Sequence, residues 1–161
     1  MSFEVEKDWI TAEGYRAVAG MCERSNRWRT GYIALPEGHP LIGVGTSDHA
    51  DCLIPLWRQR MEEPLGELGI IPVMCSGMNP YVARLDCAIR VHGGMTFAKE
   101  CSDYPVPTPV PTWWVGFSCD HSGDSLETCT LDYVITQCER MSAQLRTAAD
   151  IQERLDKELQ L

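Results

Sequence analysis

Apolar and polar positions change period several times along this chain, and each change marks an expected element. From Asp8 to Arg24, apolar side chains at Trp9, Ala12, Tyr15, Ala19 and Cys22 recur at helical spacing, which predicts an amphipathic helix weakened by Gly14 and Gly20. Trp28 to Leu35 predicts a strand that closes in the turn Pro36, Glu37, Gly38, His39, Pro40. Asp48 to Glu63 predicts a helix with Asp48 near its cap and Pro55 as a kink or interruption. Gly69 to Met74 and Arg84 to Val91 read as strands separated by a Ser-Gly-Met-Asn-Pro loop. Val115, Phe117 and Cys119 alternate with Trp114, Gly116 and Ser118, the pattern of a buried strand. Leu131, Val134, Ile135, Cys138, Met141 and Leu145 return to helical spacing and predict a C-terminal helix over about residues 128–160. These elements predict an α+β fold, with a mixed or antiparallel sheet packed by the long C-terminal helix and a shorter N-terminal one.

Chain length keeps this to one domain spanning 1–161, large enough for a proper core. Net charge is −9, from 14 basic and 23 acidic residues, which argues against a nucleic-acid polymer as partner because phosphate contacts need clustered Lys and Arg. A small anionic ligand stays open, since it needs only a local cation or a backbone nest. No run approaches the roughly 20 apolar residues of a membrane helix, so no membrane partner is expected. The first residues show no basic segment followed by an apolar one, so no secretory signal is expected and the reading points to the cytoplasm. There the eight cysteines would be reduced. None forms a Cys-x-x-Cys pair, and Cys75, Cys87 and Cys138 sit among apolar neighbours as small core residues.

Two segments carry the candidate chemistry. Trp113 to Asp124 runs from a buried strand into a polar turn holding Cys119, Asp120, His121 and Asp124. Val91 to Phe97 repeats the design, with an apolar stretch followed by His92, Gly93 and Gly94. On an extended backbone Cys119 and His121 face one side, so both could reach one ion, with Asp124 and His92 as further donors. Zinc or another divalent metal held this way would activate a water against a phosphoester. The metal-free version uses His92 and His121 as an acid–base pair, with Asp120 or Asp124 fixing a tautomer. Gly93 and Gly94 would let the backbone approach a phosphate, with Arg90 and Lys99 flanking the turn as counter-charges. Thr96, Trp114 and His39 complete the candidate ligand-binding set, Trp114 because alternation sends it and Trp113 to opposite faces. The bland alternatives are that His39 closes a loop, that His49 beside Asp48 and Asp51 starts a helix, and that the tryptophans are core. Tyr104 to Thr112 holds four prolines in nine residues, a stiff connection that could hold two strands apart or act as a lid over the space between Gly93 and His121.

The segments Gly31 to Ala34, Gly38 to Pro40, Val91 to Phe97 and Trp113 to Asp124 resemble a bacteriophage-associated family with no established activity. Its usual form reads Val-His-Gly-Gly-Leu-Thr, then Trp-Trp-Phe-Gly-Phe-Asp-Cys and His-x-Gly-Asp. The resemblance covers about residues 28–45 and 88–145, and residues 46–84 look like an insertion. This chain departs at Ser118, where the family has Asp, so no carboxylate role is carried to that position. The resemblance implies a small phage accessory protein of the kind that counters host immunity, acting in the host cytoplasm.

Together these readings lead to the expectation of a hydrolase, with His92, His121 and Asp124 at its centre, cleaving a phosphodiester-like bond in a small nucleotide-type ligand. Two alternatives remain beside it. One is a sponge that sequesters the nucleotide uncleaved. The other is an acidic inhibitor that occupies a basic groove on a host nuclease or defence effector. Oligomeric state is left open, with a homo-oligomer among the options.

Overall fold

A computed structural model describes residues 2–63 and 79–160. Five strands, β1 (Ser2–Ile10), β2 (Arg16–Glu23), β3 (Arg27–Ala34), β4 (Phe97–Cys101) and β5 (Thr112–Ser118), form one antiparallel sheet in the order β1-β2-β3-β5-β4. Between β3 and β4 lie helix α1 (Ile54–Met61), entered through a short 3-10 turn at Asp51–Leu53, and the one-turn helix α2 (Leu85–Ala88). Helix α3 (Leu131–Leu159) follows β5 and packs along one sheet face. The α+β class holds, with the long C-terminal helix where periodicity placed it. Among the described residues no helix is long and apolar enough to cross a membrane.

The N-terminal segment corrects the first expectation. Asp8–Arg24 is not a helix; it spans the end of β1, a turn, and β2. Gly14, at φ 87°, closes that turn, with the Thr11 N–H donating to Tyr15 O and the Gly14 N–H to Thr11 O. Burial explains the misreading: β2 is covered on both faces, so Ala17 and Ala19 pack toward α3 while Val18 packs toward the opposite side. A strand buried on both faces loses the alternation that would identify it. Helix α1 has Pro55 in its first turn, where the missing N–H costs nothing, so Pro55 starts the helix and interrupts nothing. Asp48 is not its cap; the Asp48 carboxylate accepts from the Gly45 N–H at 2.8 Å.

Arg84–Val91 is also not a strand. Arg84 makes one isolated bridge with His49, and Leu85–Ala88 turns helical, with Leu85, Cys87, Ala88 and Ile89 all buried. A short apolar run buried on every side carries no period to choose between helix and strand. The strand expected at Gly69–Met74, and Cys75, lie outside the described residues.

Two cores flank the sheet. On one face, Val134, Cys138, Met141 and Leu145 of α3 meet Ile33, Val115 and Phe117. Gly31 permits this close approach, since a Cβ there would lie 2.6 Å from Cys138 Sγ. On the other face Val18, Tyr32 and Trp114 are covered by Phe3, Tyr104 and Val106. The proline-rich connection therefore corrects a second expectation. β4 and β5 pair directly, and Cys101 opposite Thr112 puts Ser102–Pro111 at the end of that hairpin away from His121. It folds over the far face of the sheet and is no lid above the Gly93–His121 region. Tyr104, just ahead of the prolines, and Val106, between the first two, pack there.

Candidate functional site

His92, His121 and Asp124 converge where three segments meet: the turn before β4, the loop leaving β5, and the first turns of α3. Cys119 continues the β5 ladder, its N–H donating to Arg29 O at 2.9 Å, and the chain then leaves the sheet. Gly123, at φ 89°, turns it back so that the Asp124 N–H reaches His121 O and the Asp124 carboxylate returns toward the histidines. Thr130 caps α3 by accepting from the Tyr133 N–H. One turn apart on one helix face, Tyr133 and Gln137 both reach the His92 segment.

Asp124 Oδ2 is the centre of the arrangement. It lies 2.9 Å from His92 Nε2 and 3.3 Å from His121 Nδ1, and it accepts the His121 backbone N–H at 3.0 Å. Burial pushes the Asp124 carboxyl up, but the hydrogen bonds from both histidines and the His121 backbone together outweigh it, and its pKa falls below the ordinary aspartate value. Asp120, the other carboxylate considered, is exposed and takes the Ser118 hydroxyl at 2.7 Å. Asp124 alone of the two orients the rings.

The two histidines differ. His92 has both ring nitrogens engaged, Nε2 with Asp124 and Nδ1 with the Tyr133 hydroxyl at 2.8 Å, and its backbone N–H donates to Gln137 Oε1 at 2.9 Å. His121 engages only Nδ1; among the described residues its Nε2 has no hydrogen-bond partner, and its side chain is 34% exposed against 19% for His92. The rings adjoin, with centroids 5.9 Å apart. Gly93, at φ 67°, lies against the His121 ring so closely that a Cβ would fall 2.3 Å from Cε1. Any side chain at this position would push the ring aside.

Two donor sets share His92. Its ligand atoms and those of His121 and Asp124 all lie within 4.8 Å of one another, and so do those of His92, Cys119 and Cys129. Cys129 Sγ is 3.9 Å from His92 Nε2. Both cysteines are buried, and burial, with the adjacent Cys129 thiol, pushes the Cys119 thiol far above its usual range. Cys119 and His121 thus approach His92 in different sets, where the extended spacing suggested one shared point.

The remaining expected residues divide. Gly94, at φ 83°, shapes the turn, and Thr96 is exposed with its N–H on Gly116 O at 2.9 Å. Arg90 faces Glu63 at 3.5 Å, and its backbone is held by Gln144, two helical turns beyond Gln137, so its charge serves another surface. Trp114 is fully buried in the core on the far side of the sheet and lines nothing near His92. His39 lies apart from the two histidines, with both ring nitrogens held by backbone: Nδ1 accepts from the Leu41 N–H at 3.1 Å, and Nε2 donates to Leu145 O at 3.0 Å. Burial lowers its pKa against the opposing pull of that carbonyl.

Sequence reasoning missed Cys129, Tyr133, Gln137 and Arg29. Arg29 donates to the carbonyls of Leu126 and Cys129 and is itself held by Glu6 at 2.9 Å, which anchors the loop that delivers Cys129. A second cysteine just ahead of the helix cap was the available signal for Cys129; Tyr133, Gln137 and Arg29 gave none. No family model, curated protein or solved structure matches this chain.

Proposed function

We propose that the His121–Asp124 pair is the reacting centre of a hydrolytic site for a phosphodiester-like bond in a small nucleotide-type ligand. One observation carries the reading: Asp124 takes both imidazoles, but only His121 keeps a ring nitrogen without a partner among the described residues. With Nδ1–H donating to Asp124, His121 Nε2 is a lone pair able to take a proton from an attacking water and return it to the leaving oxygen. His92, held between Tyr133 and Asp124, positions the carboxylate. Exposed Gly93 beneath the His121 ring supplies a backbone without a side chain where a phosphate would approach. The proposed setting is a bacteriophage accessory protein that removes a nucleotide signal of host immunity, as the Val91–Phe97 and Trp113–Asp124 motifs imply.

Cyclic nucleotides and cyclic ADP-ribose isomers, incubated with the protein with and without divalent metal and read by mass spectrometry, test this. Product formation that falls by about 10²–10⁴-fold in His121→Asn, the usual worth of a positioned acid–base group, supports it. Unchanged ligands across the panel refute it. Heat release of intact ligand from the protein would replace hydrolysis with sequestration.

A further inference from the structure

We propose that His92, Cys119 and Cys129 bind one zinc ion, which clasps the base of the loop that carries His121 and Asp124. The three donors come from three separate segments: the turn ahead of β4, the end of β5, and the residue before the α3 cap. Their ligand atoms already lie within 4.8 Å of one another. Zn–S and Zn–N bonds of about 2.3 and 2.0–2.1 Å at a tetrahedral angle imply an S···N separation of about 3.6 Å. Cys129 Sγ and His92 Nε2 stand 3.9 Å apart, so that pair needs to close by only a few tenths of an ångström, and the separations to Cys119 Sγ start within 4.8 Å. Two thiols and an imidazole are a donor set that selects zinc over magnesium or calcium.

The other ring nitrogen of His92 fits as well. When the ion takes Nε2, His92 must carry its proton on Nδ1 and surrender the bond to Asp124. Its Nδ1 partner is the Tyr133 hydroxyl, which can donate or accept and therefore serves either tautomer. Asp124 Oδ2, 2.9 Å from Nε2, can take the fourth position while keeping the His121 Nδ1–H, so that the ion replaces the His92 bond in holding the carboxylate. The two thiol protons leave to solvent as the thiolates bind. Cys119 and Cys129 are 3% and 2% exposed, so the site is closed, as structural zinc sites are. Residues 120–128 would then be pinned at both ends, His121 and Asp124 among them.

Metal content and cobalt spectroscopy of the full chain, purified under reducing conditions, test the proposal independently of any ligand turnover. One zinc per chain is expected. Cobalt substitution is expected to give the strong visible bands of a tetrahedral site with a thiolate-to-cobalt charge-transfer band in the near ultraviolet. Cys119→Ser and Cys129→Ser should each abolish that band, while Cys101→Ser and His121→Asn keep it. Tyr133→Phe should weaken zinc by about 10- to 100-fold. Absence of zinc together with a wild-type cobalt spectrum lacking the thiolate band would overturn the proposal, even if the cysteine variants fail to fold. Metal that binds without the thiolate band and is lost in His121→Asn would overturn it too, moving the ion to the set of His92, His121 and Asp124.

Discussion

Gly93→Ala probes the contact on which His121's placement depends. A Cβ at this position would lie 2.3, 2.7 and 2.8 Å from His121 Cε1, Nδ1 and Nε2, where carbon contacts normally sit at about 3.5–4.0 Å. Two costs follow. Holding alanine at φ 67° costs about 1–2 kcal/mol, offset by about 0.4–1 kcal/mol from a stiffer unfolded chain. Gly38, at φ 83° with nothing within 4 Å, carries that backbone cost alone and is the natural control. Gly93 adds displacement of the ring and loss of the His121–Asp124 bond. A hydrogen bond to a charged group is worth about 1.5–3 kcal/mol, but at 3.3 Å and with His121 one-third exposed, screening reduces this to about 1 kcal/mol. Gly93→Ala should therefore be about 1 kcal/mol less stable than Gly38→Ala, or about 2–4 °C lower in Tm for a domain of this size. Urea melts followed by tryptophan fluorescence measure the difference, and histidine NMR signals report the ring. Equal stabilities for the two variants, with an unmoved His121 resonance, would refute the reasoning.

The depressed pKa of Asp124 means its folded form holds protons less readily than the unfolded chain. Its contribution to stability is present above about pH 4 and lost as pH falls through the folded value, so the stability gap between wild type and Asp124→Asn should narrow in acid titrations below about pH 4. Burial lowers the His39 pKa, so the unfolded state binds the proton first as pH drops below about 6.5. In His39→Gln the fall in stability between about pH 7 and 5 should be shallower than in wild type, as read by urea melts across that range. Gln137→Ala leaves the His92 N–H without its acceptor and should cost about 1–3 kcal/mol by chemical denaturation.

Legibility followed burial. Helix α3 was readable because Val134, Cys138, Met141 and Leu145 line one buried face while the other face stays wet, so its period survives in the residue order. β3 and β5 are as enclosed as β2, and they were found within a residue or two of their ends because turn residues bound them. β2 and α2 were misread because both are enclosed, and enclosure erases the contrast that periodicity needs. At the site, His92, His121 and Asp124 announced themselves as polar residues beside glycines at the ends of apolar runs. Their partners did not. Arg29, Tyr133 and Gln137 act on segments far away in the chain, and only the fold brings a β3 arginine to the carbonyl of Cys129. Trp114 shows the converse: alternation located it correctly on the opposite face from Val115, but the occupant of that face was the proline-rich connection rather than a ligand.

Because β1 and β4 are outermost among the described strands, each leaves one row of backbone groups that no described strand pairs with. An irregular register between Val5 and Lys7 and exposed Glu4, Lys7 and Asp8 discourage β1 from recruiting another strand, and β4 carries exposed Lys99 and Glu100. Both are devices that keep sheets from growing end over end into fibres. Self-association of this acidic chain, where it occurs, is thereby steered away from ribbon extension and toward helix or loop surfaces.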